Sequence, residues 1–319
     1  MPAPTLAPAP ALFIVFNPGS GRNDREAVRR QVDSACAAAG REVHWYEIGP
    51  NRPVGTLARQ AVADAMAARG IAVAAGGDGT INAVAQAVLP AGCAFGVLPR
   101  GTFNYFGRTH GIAQELEGSL AGLLAGSLRP VQAAQVNERV FLVNASLGLY
   151  ARLLEDREAA KSRFGRSRVV AAASAIATLL SGFRSWHLVL RAGGREVELD
   201  TPTLFVGNNA LQIEQVGLAE ADVVEEGAMA AIALRPLGRW ALFQLLVRAA
   251  RGRMDDDPNV QSFAAASITI DRIAGRAAQR VRVAADGEIA WMTLPLVFRV
   301  APRPLWLVVP PPALQAPRE

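Results

Sequence analysis

Residues 74–88, AAGGDGTINAVAQAV, set two glycines, an aspartate, a third glycine and a threonine between two apolar stretches. The run before them, IAVAA (71–75), is short, continuous and apolar, the pattern of a strand buried on both faces of a parallel sheet. After them, Ile81, Val84, Ala85 and Val88 recur at i, i+3, i+4 and i+7, one stripe of a helix that Pro90 follows. Strand, glycine turn and helix in that order form the unit of a doubly wound α/β sheet, and this restricts the first part of the chain to that class. Glycines let backbone N–H groups approach a ligand closely, and a helix start adds partial positive charge, so phosphate suits the turn. Asp78 cannot bind phosphate directly. It could hold a magnesium–water cluster on phosphates or accept a proton from an attacking hydroxyl. The same residues also describe a plain strand–helix turn with an aspartate cap, and from this stretch alone both readings stand.

The alternation continues on either side. LFIVF (12–16) reads as a buried strand, followed by NPGSGR (17–22) and a helix to about Ala39. EVHWYEI (42–48) reads as strand, 54–69 as helix, 71–75 as strand, 80–89 as helix and AFGVLP (94–99) as strand. RGTFNYFGRTHGI then forms a loop entering a helix, and 116–125 is a further helix. Residues 1–132 are thus expected to form an α/β nucleotide-binding domain behind a disordered Pro/Ala tail, 1–10. From 133 the pattern changes to successive short apolar runs: VFLVNASLGLY (140–150), WHLVLRAG (186–193), TLFVGNN (203–209), AMAAIALRP (228–236), SITID (267–271) and QRVRVAADGE (279–288). These predict an antiparallel β-sandwich over 133–298, interrupted by helical insertions near 151–183 and 237–252. PLWLVVPP (304–311) is a strand that either domain could take.

A length of 319 residues suits two domains, each with its own core. The net charge is +5, carried almost wholly by arginine with Lys161 the one lysine, which favours anionic partners. No dense basic run interleaves with aromatics, so nucleic acid is not expected. Cys36 and Cys93 are isolated, which fits a reducing cytoplasm, and three histidines (His44, His110, His187) argue against zinc catalysis. The start lacks the charged region of a signal peptide, and the apolar run 169–180 is too short to span a bilayer. The expectation is a cytoplasmic protein, soluble or peripheral to a membrane, with a homodimer kept as a candidate assembly.

Three small-residue loops each follow a predicted strand: Asn17, Pro18, Gly19, Ser20 and Gly21; Gly76, Gly77, Asp78, Gly79 and Thr80; and PRGTFN (99–104). Strand C-termini of an open α/β sheet lie along one edge, so the three loops should converge there.

FNPGSG, GGDGTINAVA, GVLPRGTFNYFGR, FLVNASLGLY, LFVGNN and VAADGE, in this order from Leu12 to Pro310, resemble the diacylglycerol kinase catalytic family, which includes sphingosine, ceramide and bacterial lipid kinases. GGDGT alone is shared with NAD kinases and phosphofructokinases, whereas the ordered set ending in DGE belongs to lipid kinases. The resemblance implies an ATP-binding α/β domain plus a β-sandwich, with ATP in the cleft between them and a last strand (299–319) returning to the first domain. It implies ATP and Mg2+ as cofactors and a membrane-lipid hydroxyl of the diacylglycerol, sphingoid-base or ceramide type as substrate. Nucleotide contacts carry over onto residues 17–21, Gly77, Asp78, Gly79, Thr80, Asn82 and Thr102. The proton acceptor falls on the Asp286–Gly287–Glu288 motif; as bare sequence, DG there also reads as a hairpin turn. A structural metal loop falls on Glu225–Glu226–Gly227, with magnesium held by Glu226 and the carbonyls of Val223 and Ala228.

The chain departs from the family at several points. Ala83 stands where many members have Glu, Tyr105 and Gln132 where they have Asp, and Ile48 where a nucleotide-contacting Thr is common. Two alternatives follow: a kinase acting on NAD or another soluble alcohol, or a catalytically weakened lipid-binding or regulatory homologue. Membrane contact is expected from the insertions, where Lys161, Arg163, Arg166, Arg168 and Arg184 flank 169–180, and Trp240, Phe243 and Val247 lie among Arg239, Arg248, Arg251 and Arg253.

Overall fold

The computed structural model describes residues 2–21, 24–148, 185–215, 222, 224, 226–238, 241, 244–245, 248, 257–272 and 280–317. The chain forms two compact units, residues 1–133 with 301–319, and residues 134–300.

In the first unit, β1 (Leu12–Phe16), β2 (Val43–Glu47), β3 (Ile71–Gly76) and β4 (Ala94–Pro99) alternate with α1 (Arg25–Ala38), α2 (Val54–Ala67) and α3 (Asp78–Ala91). α4 (Tyr105–Thr109), α5 (Leu116–Ala125) and β5 (Ser127–Val131) follow. β1, β3 and β4 are buried at every residue, which is why their sequences are unbroken apolar runs rather than alternations. The sheet runs β2-β1-β3-β4, then residues 305–309, then β5. The first four strands and 305–309 are parallel, and β5 is antiparallel to 305–309. Val28, Val32 and Cys36 of α1 and Leu116, Leu120 and Leu123 of α5 pack on the sheet in one core with Leu12, Ile14 and Val73.

Two local expectations change. α3 begins at Asp78 rather than at residue 80, because Gly77 is its N-cap, and it runs through Pro90 to stop at Gly92 with φ 66°. The tail expected to be disordered is partly held: the Ala7 N–H donates to the Arg69 carbonyl at 2.9 Å, and Leu6 packs against the sheet core. An apolar side chain at residue 6 and the carbonyl of Arg69, in the turn between α2 and β3, gave the Pro/Ala segment a place to dock.

The second unit is an antiparallel sandwich. One sheet contains β6 (Ala134–Val136), β7 (Arg139–Phe141), β9 (Trp186–Ala192), β10 (Arg195–Thr201), β14 (Ser267–Arg272) and β17 (Leu296–Val300). The other contains β8 (Asn144–Gly148), β11 (Thr203–Gly207), β12 (Met229–Leu234), β13 (Val260–Ala265), β15 (Arg280–Ala285) and β16 (Glu288–Thr293), with α6 (Ala210–Gln215) after β11. Their orders are β10-β9-β14-β17-β6-β7 and β13-β12-β11-β8-β15-β16. Phe141, Leu190, Ile270 and Phe298 from the first sheet meet Leu147, Leu204, Met229 and Val283 from the second in a single core. β18 (Leu305–Val309) then closes the chain in the first unit's sheet, between β4 and β5.

The run 140–150, which reads as one strand, is two. Residues 139–141 pair in one sheet and 144–148 in the other, so the chain changes sheet at Leu142 and Val143. Both residues are buried, so the crossing needs hydrogen-bond acceptors that no strand supplies. The 151–183 insertion, with the arginines assigned to membrane contact there, lies outside the described residues. Of the 237–252 insertion, residues 241, 244, 245 and 248 are helical. Trp240, Phe243, Val247, Arg239, Arg251 and Arg253 lie outside the described residues, and Arg248 pairs with Asp257 at 2.8 Å. Among the described residues, no helix is long and apolar enough to cross a membrane.

Candidate functional site

From β1 the chain first steps to β2 on one side and then to β3 on the other, so β1 and β3 flank the point where strand order reverses. Loops leaving such neighbours diverge to opposite faces of the sheet and open a crevice at the strand C-termini. The loops after β1, β3 and β4 are joined there by specific bonds. The Asn17 N–H donates to the Ala75 carbonyl at 3.0 Å, and Asn17 Nδ2 donates to Thr80 Oγ1 at 3.2 Å. Asn17 Oδ1 accepts the Gly19 N–H at 3.0 Å, and Ser20 Oγ donates to the Asn17 carbonyl at 2.8 Å. The side chains of Asn17, Ser20 and Thr80 therefore brace the loops, leaving backbone N–H groups as the means of holding an anion.

The β4 loop closes on the same point. The Arg100 N–H donates to the Gly76 carbonyl at 2.8 Å. Its guanidinium donates to the Ser20 carbonyl from Nε at 3.2 Å and Nη2 at 2.9 Å, and lies over the Phe16 ring. Burial pulls the Arg100 pKa below its usual value. Gly77 and Gly101 approach so closely that a Cβ on Gly101 would stand 2.8 Å from the Gly77 Cα. The donor set is thus main chain at close quarters, which fits a polyphosphate.

Asp78 sits in the first turn of α3, where its charge favours the helix dipole. Its Oδ2 accepts the Asn104 N–H at 2.9 Å, which fixes the carboxylate against the β4 loop. Asn104 is held in turn: it adopts φ 47°, accepts the Gly101 N–H at 2.9 Å, and donates to the Gly101 carbonyl at 3.0 Å and to Gln114 Oε1 at 2.7 Å. Tyr105, next along, has its pKa raised, first by burial and further by the Asp78 charge against a lowering from Arg108. A hard carboxylate oxygen at the start of a phosphate-type helix fits magnesium as well as phosphate-bound water. Two further expected contacts differ in exposure. Asn82 is buried, with its Oδ1 accepting from Gln86 at 2.9 Å, and Thr102 is exposed at the loop tip.

In the second unit, Asp286 and Gly287 form the two-residue turn between β15 and β16, both at positive φ as a type I′ hairpin requires. Asp286 also reaches the crossing strand. Its Oδ2 accepts the Leu142 N–H at 2.7 Å, and its Oδ1 accepts those of Val143 at 2.9 Å and Asn144 at 3.0 Å. The Asp286 N–H donates to the Asn144 carbonyl at 2.9 Å. Glu288 is half-exposed and pairs with Arg139 at 2.7 Å. Of the expected magnesium loop, Glu226 and Ala228 flank Gly227 at φ 87°, and Val223 lies outside the described residues. Among the described residues, no three acids, histidines or cysteines cluster as a metal site.

Two family models match in succession: one for the diacylglycerol kinase catalytic domain matches residues 11–136, and one for the YegS C-terminal NAD kinase beta sandwich-like domain matches 144–309, which takes in β18 of the first unit. The second model spans more than half of the chain, which therefore belongs to the family of the YegS C-terminal NAD kinase beta sandwich-like domain. It is similar to a protein named "Probable lipid kinase YegS-like" from Klebsiella pneumoniae (strain 342), 41% identical over 78 residues, 24% of this chain and 26% of that one. It is also similar to a protein of the same name from Enterobacter sp. (strain 638), 31% identical over 149 residues, 45% of this chain and 47% of that one. These alignments span about a quarter and about half of the curated relatives' length. A solved structure from Bacillus anthracis str. Sterne superposes with a TM-score of 0.73 at 18% identity, over 96% of this chain and 98% of that one. A second from that organism, described as a diacylglycerol kinase, gives 0.67 at 17%, with the same coverage. At such identities the likeness is one of fold.

Within this family frame, sequence reasoning named the three loops but not their fasteners, Arg100 and Asn104. Asn104 carried a local signal, since asparagine is among the few residues that favour positive φ. Arg100 carried none, because its partner Ser20 is eighty residues away.

Proposed function

We propose that the chain is an ATP- and Mg2+-dependent lipid kinase that phosphorylates a hydroxyl of a membrane lipid of the diacylglycerol, sphingoid-base or ceramide type. The observation that carries the reading is the switch-point cluster, in which three loops meet around Asp78 at the start of α3. ATP supplies the phosphoryl group, and Mg2+ neutralises charge on its oxygens. Pro18 has no N–H, and those of Asn17, Gly19, Ser20 and Thr80 donate within the loops, so the backbone N–H groups of Gly21, Gly77, Asp78 and Gly79 bind and orient the phosphates, beside Thr102. Asp78, held by the Asn104 N–H, is the carboxylate that would hold Mg2+.

A lipid hydroxyl must lose a proton to a carboxylate within hydrogen-bond reach. That role falls to Asp286, Glu288 or Asp78; three N–H bonds fix the Asp286 carboxylate, whose Oδ2 accepts only one of them, and so hold the turn that carries Glu288. Residues Val223, Glu226 and Ala228 are kept as a structural magnesium loop and enter no step.

Labelled ATP with a panel of diacylglycerol, sphingoid base, ceramide and NAD, read by thin-layer chromatography, tests the proposal. Magnesium-dependent label in one lipid is expected. Label in NAD alone, or no turnover with any acceptor, overturns it.

A further inference from the structure

The edge of the second sheet at β15–β16 carries exposed basic and aromatic side chains, while the rest of that sheet's outward side packs on α6 and Val224. In β15, Val281, Val283 and Ala285 point into the core. Arg282 therefore points outward, with Trp291 of β16 across from it and Thr293 across from Arg280, whereas Ala284, the next position on that face, is buried. Arg282 stands directly across from Trp291, and Arg280 stands diagonal to it. Both guanidiniums lie over the indole, at 4.8 Å and 5.7 Å from the ring centroid. The ring is 54% exposed, high for a tryptophan, and it sits on the sheet's edge strand. The hairpin's two acids are at its turn, where Asp286 accepts three backbone N–H groups and Glu288 pairs with Arg139.

The opposite face bears Glu196, Glu198, Asp200 and Asp271, with Arg191 between Glu196 at 2.6 Å and Asp271 at 4.0 Å. Arg299 and His187 share that face, which thus mixes both charges with acids in the majority.

We propose that the outward face of the β15–β16 hairpin, with Arg280, Arg282 and Trp291, docks on an anionic phospholipid surface. Tryptophan prefers the membrane–water interface, where its ring is apolar and its N–H stays wet. Two arginines beside it add attraction to acidic headgroups, and stacking on the ring holds them pre-oriented. The hairpin's own turn is the Asp286–Gly287–Glu288 motif, so docking here would bring that turn to the lipid. This inference rests on the lipid-kinase reading for its purpose but not for its test. Two arginines and one ring bind reversibly, so the contact weakens with salt.

The test is sedimentation of the full chain with phosphatidylcholine vesicles, with and without phosphatidylglycerol, at low and high salt. Wild type is expected to pellet with the anionic vesicles at low salt only. Arg280→Gln and Arg282→Gln should each weaken partition roughly fivefold, whereas Glu198→Gln on the opposite face should not weaken it. As a check free of large surface changes, Trp291→Phe isolates the emission of that one ring by difference, and a blue shift on adding anionic vesicles is expected. Unchanged sedimentation of both arginine variants, or no shift in the Trp291 emission, overturns the proposal. Vesicle binding intact in a protein that phosphorylates no lipid supports this surface and overturns the kinase reading instead.

Discussion

Asp286→Ala should unfold the sandwich far more than it alters a surface turn. The carboxylate accepts three backbone N–H bonds at 2.7, 2.9 and 3.0 Å, from residues that are 2%, 4% and 7% exposed. Water therefore reaches those donors poorly once the carboxylate is gone. A hydrogen bond to a charged group contributes about 1.5–3 kcal/mol, and a buried donor left unsatisfied costs about 1–3 kcal/mol. The three bonds share one acceptor group and are not additive, so the loss should be about 3–5 kcal/mol rather than the simple sum. Alanine at φ 46° adds backbone strain of about 1 kcal/mol that aspartate largely avoids. Against a domain stability of about 5–15 kcal/mol, this is a large fraction. Asp286→Asn tolerates the same φ and can still accept from Val143 and Asn144, but it turns its NH2 toward the Leu142 N–H, so about 1.5–3 kcal/mol is expected. Glu288→Ala removes only the half-exposed pair with Arg139 and should cost less than about 1 kcal/mol. Urea unfolding followed by circular dichroism orders the three variants. An Asp286→Ala protein within about 0.5 kcal/mol of wild type would refute the clamp, since no surface turn carries three such bonds without consequence.

Three further outcomes are expected. Asp78→Asn should lower kcat by at least about a hundredfold, because charge positioned at the phosphates is most of this catalysis, and near-wild-type turnover in a folded variant contradicts the assignment. Gly101→Ala should destabilise the first unit by about 1–3 kcal/mol and raise the KM for ATP, because the new methyl meets the Gly77 Cα at 2.8 Å and Asn104 Oδ1 at 2.5 Å; a wild-type melting temperature and KM argue against the close approach. Cys36 and Cys93 should resist Ellman's reagent at pH 8 until the chain unfolds, since burial raises both thiol pKa values, that of Cys93 to about 11. By linkage, the stability held in the neutral Cys93 thiol is complete below about pH 8.5, the unfolded pKa, and is lost as pH rises through about 11.

Strand and helix periods repeat every few residues, so the sequence by itself determined the α/β class of the first unit, the β class of the second, the glycine turn at 76–80 and the DG hairpin at 286–287. Each is decided by neighbours within a dozen positions, whose burial pattern and φ preference are written in the residues themselves. Which strand lies beside which is decided by pairing across long separations, and apolar runs are alike in that respect. Nothing within 140–150 marks Leu142 and Val143 as a change of sheet, because every residue of the run is compatible with one strand; the acceptor that makes the crossing stable is Asp286, more than 140 residues later. Nor does PLWLVVPP reveal its place between β4 and β5, since a buried parallel strand reads the same in any sheet. The same holds for the two carboxylates of DGE. In sequence they are equivalent acids two residues apart, and only the fold, by turning three buried N–H groups toward one of them, makes Asp286 a clamp and leaves Glu288 at the surface.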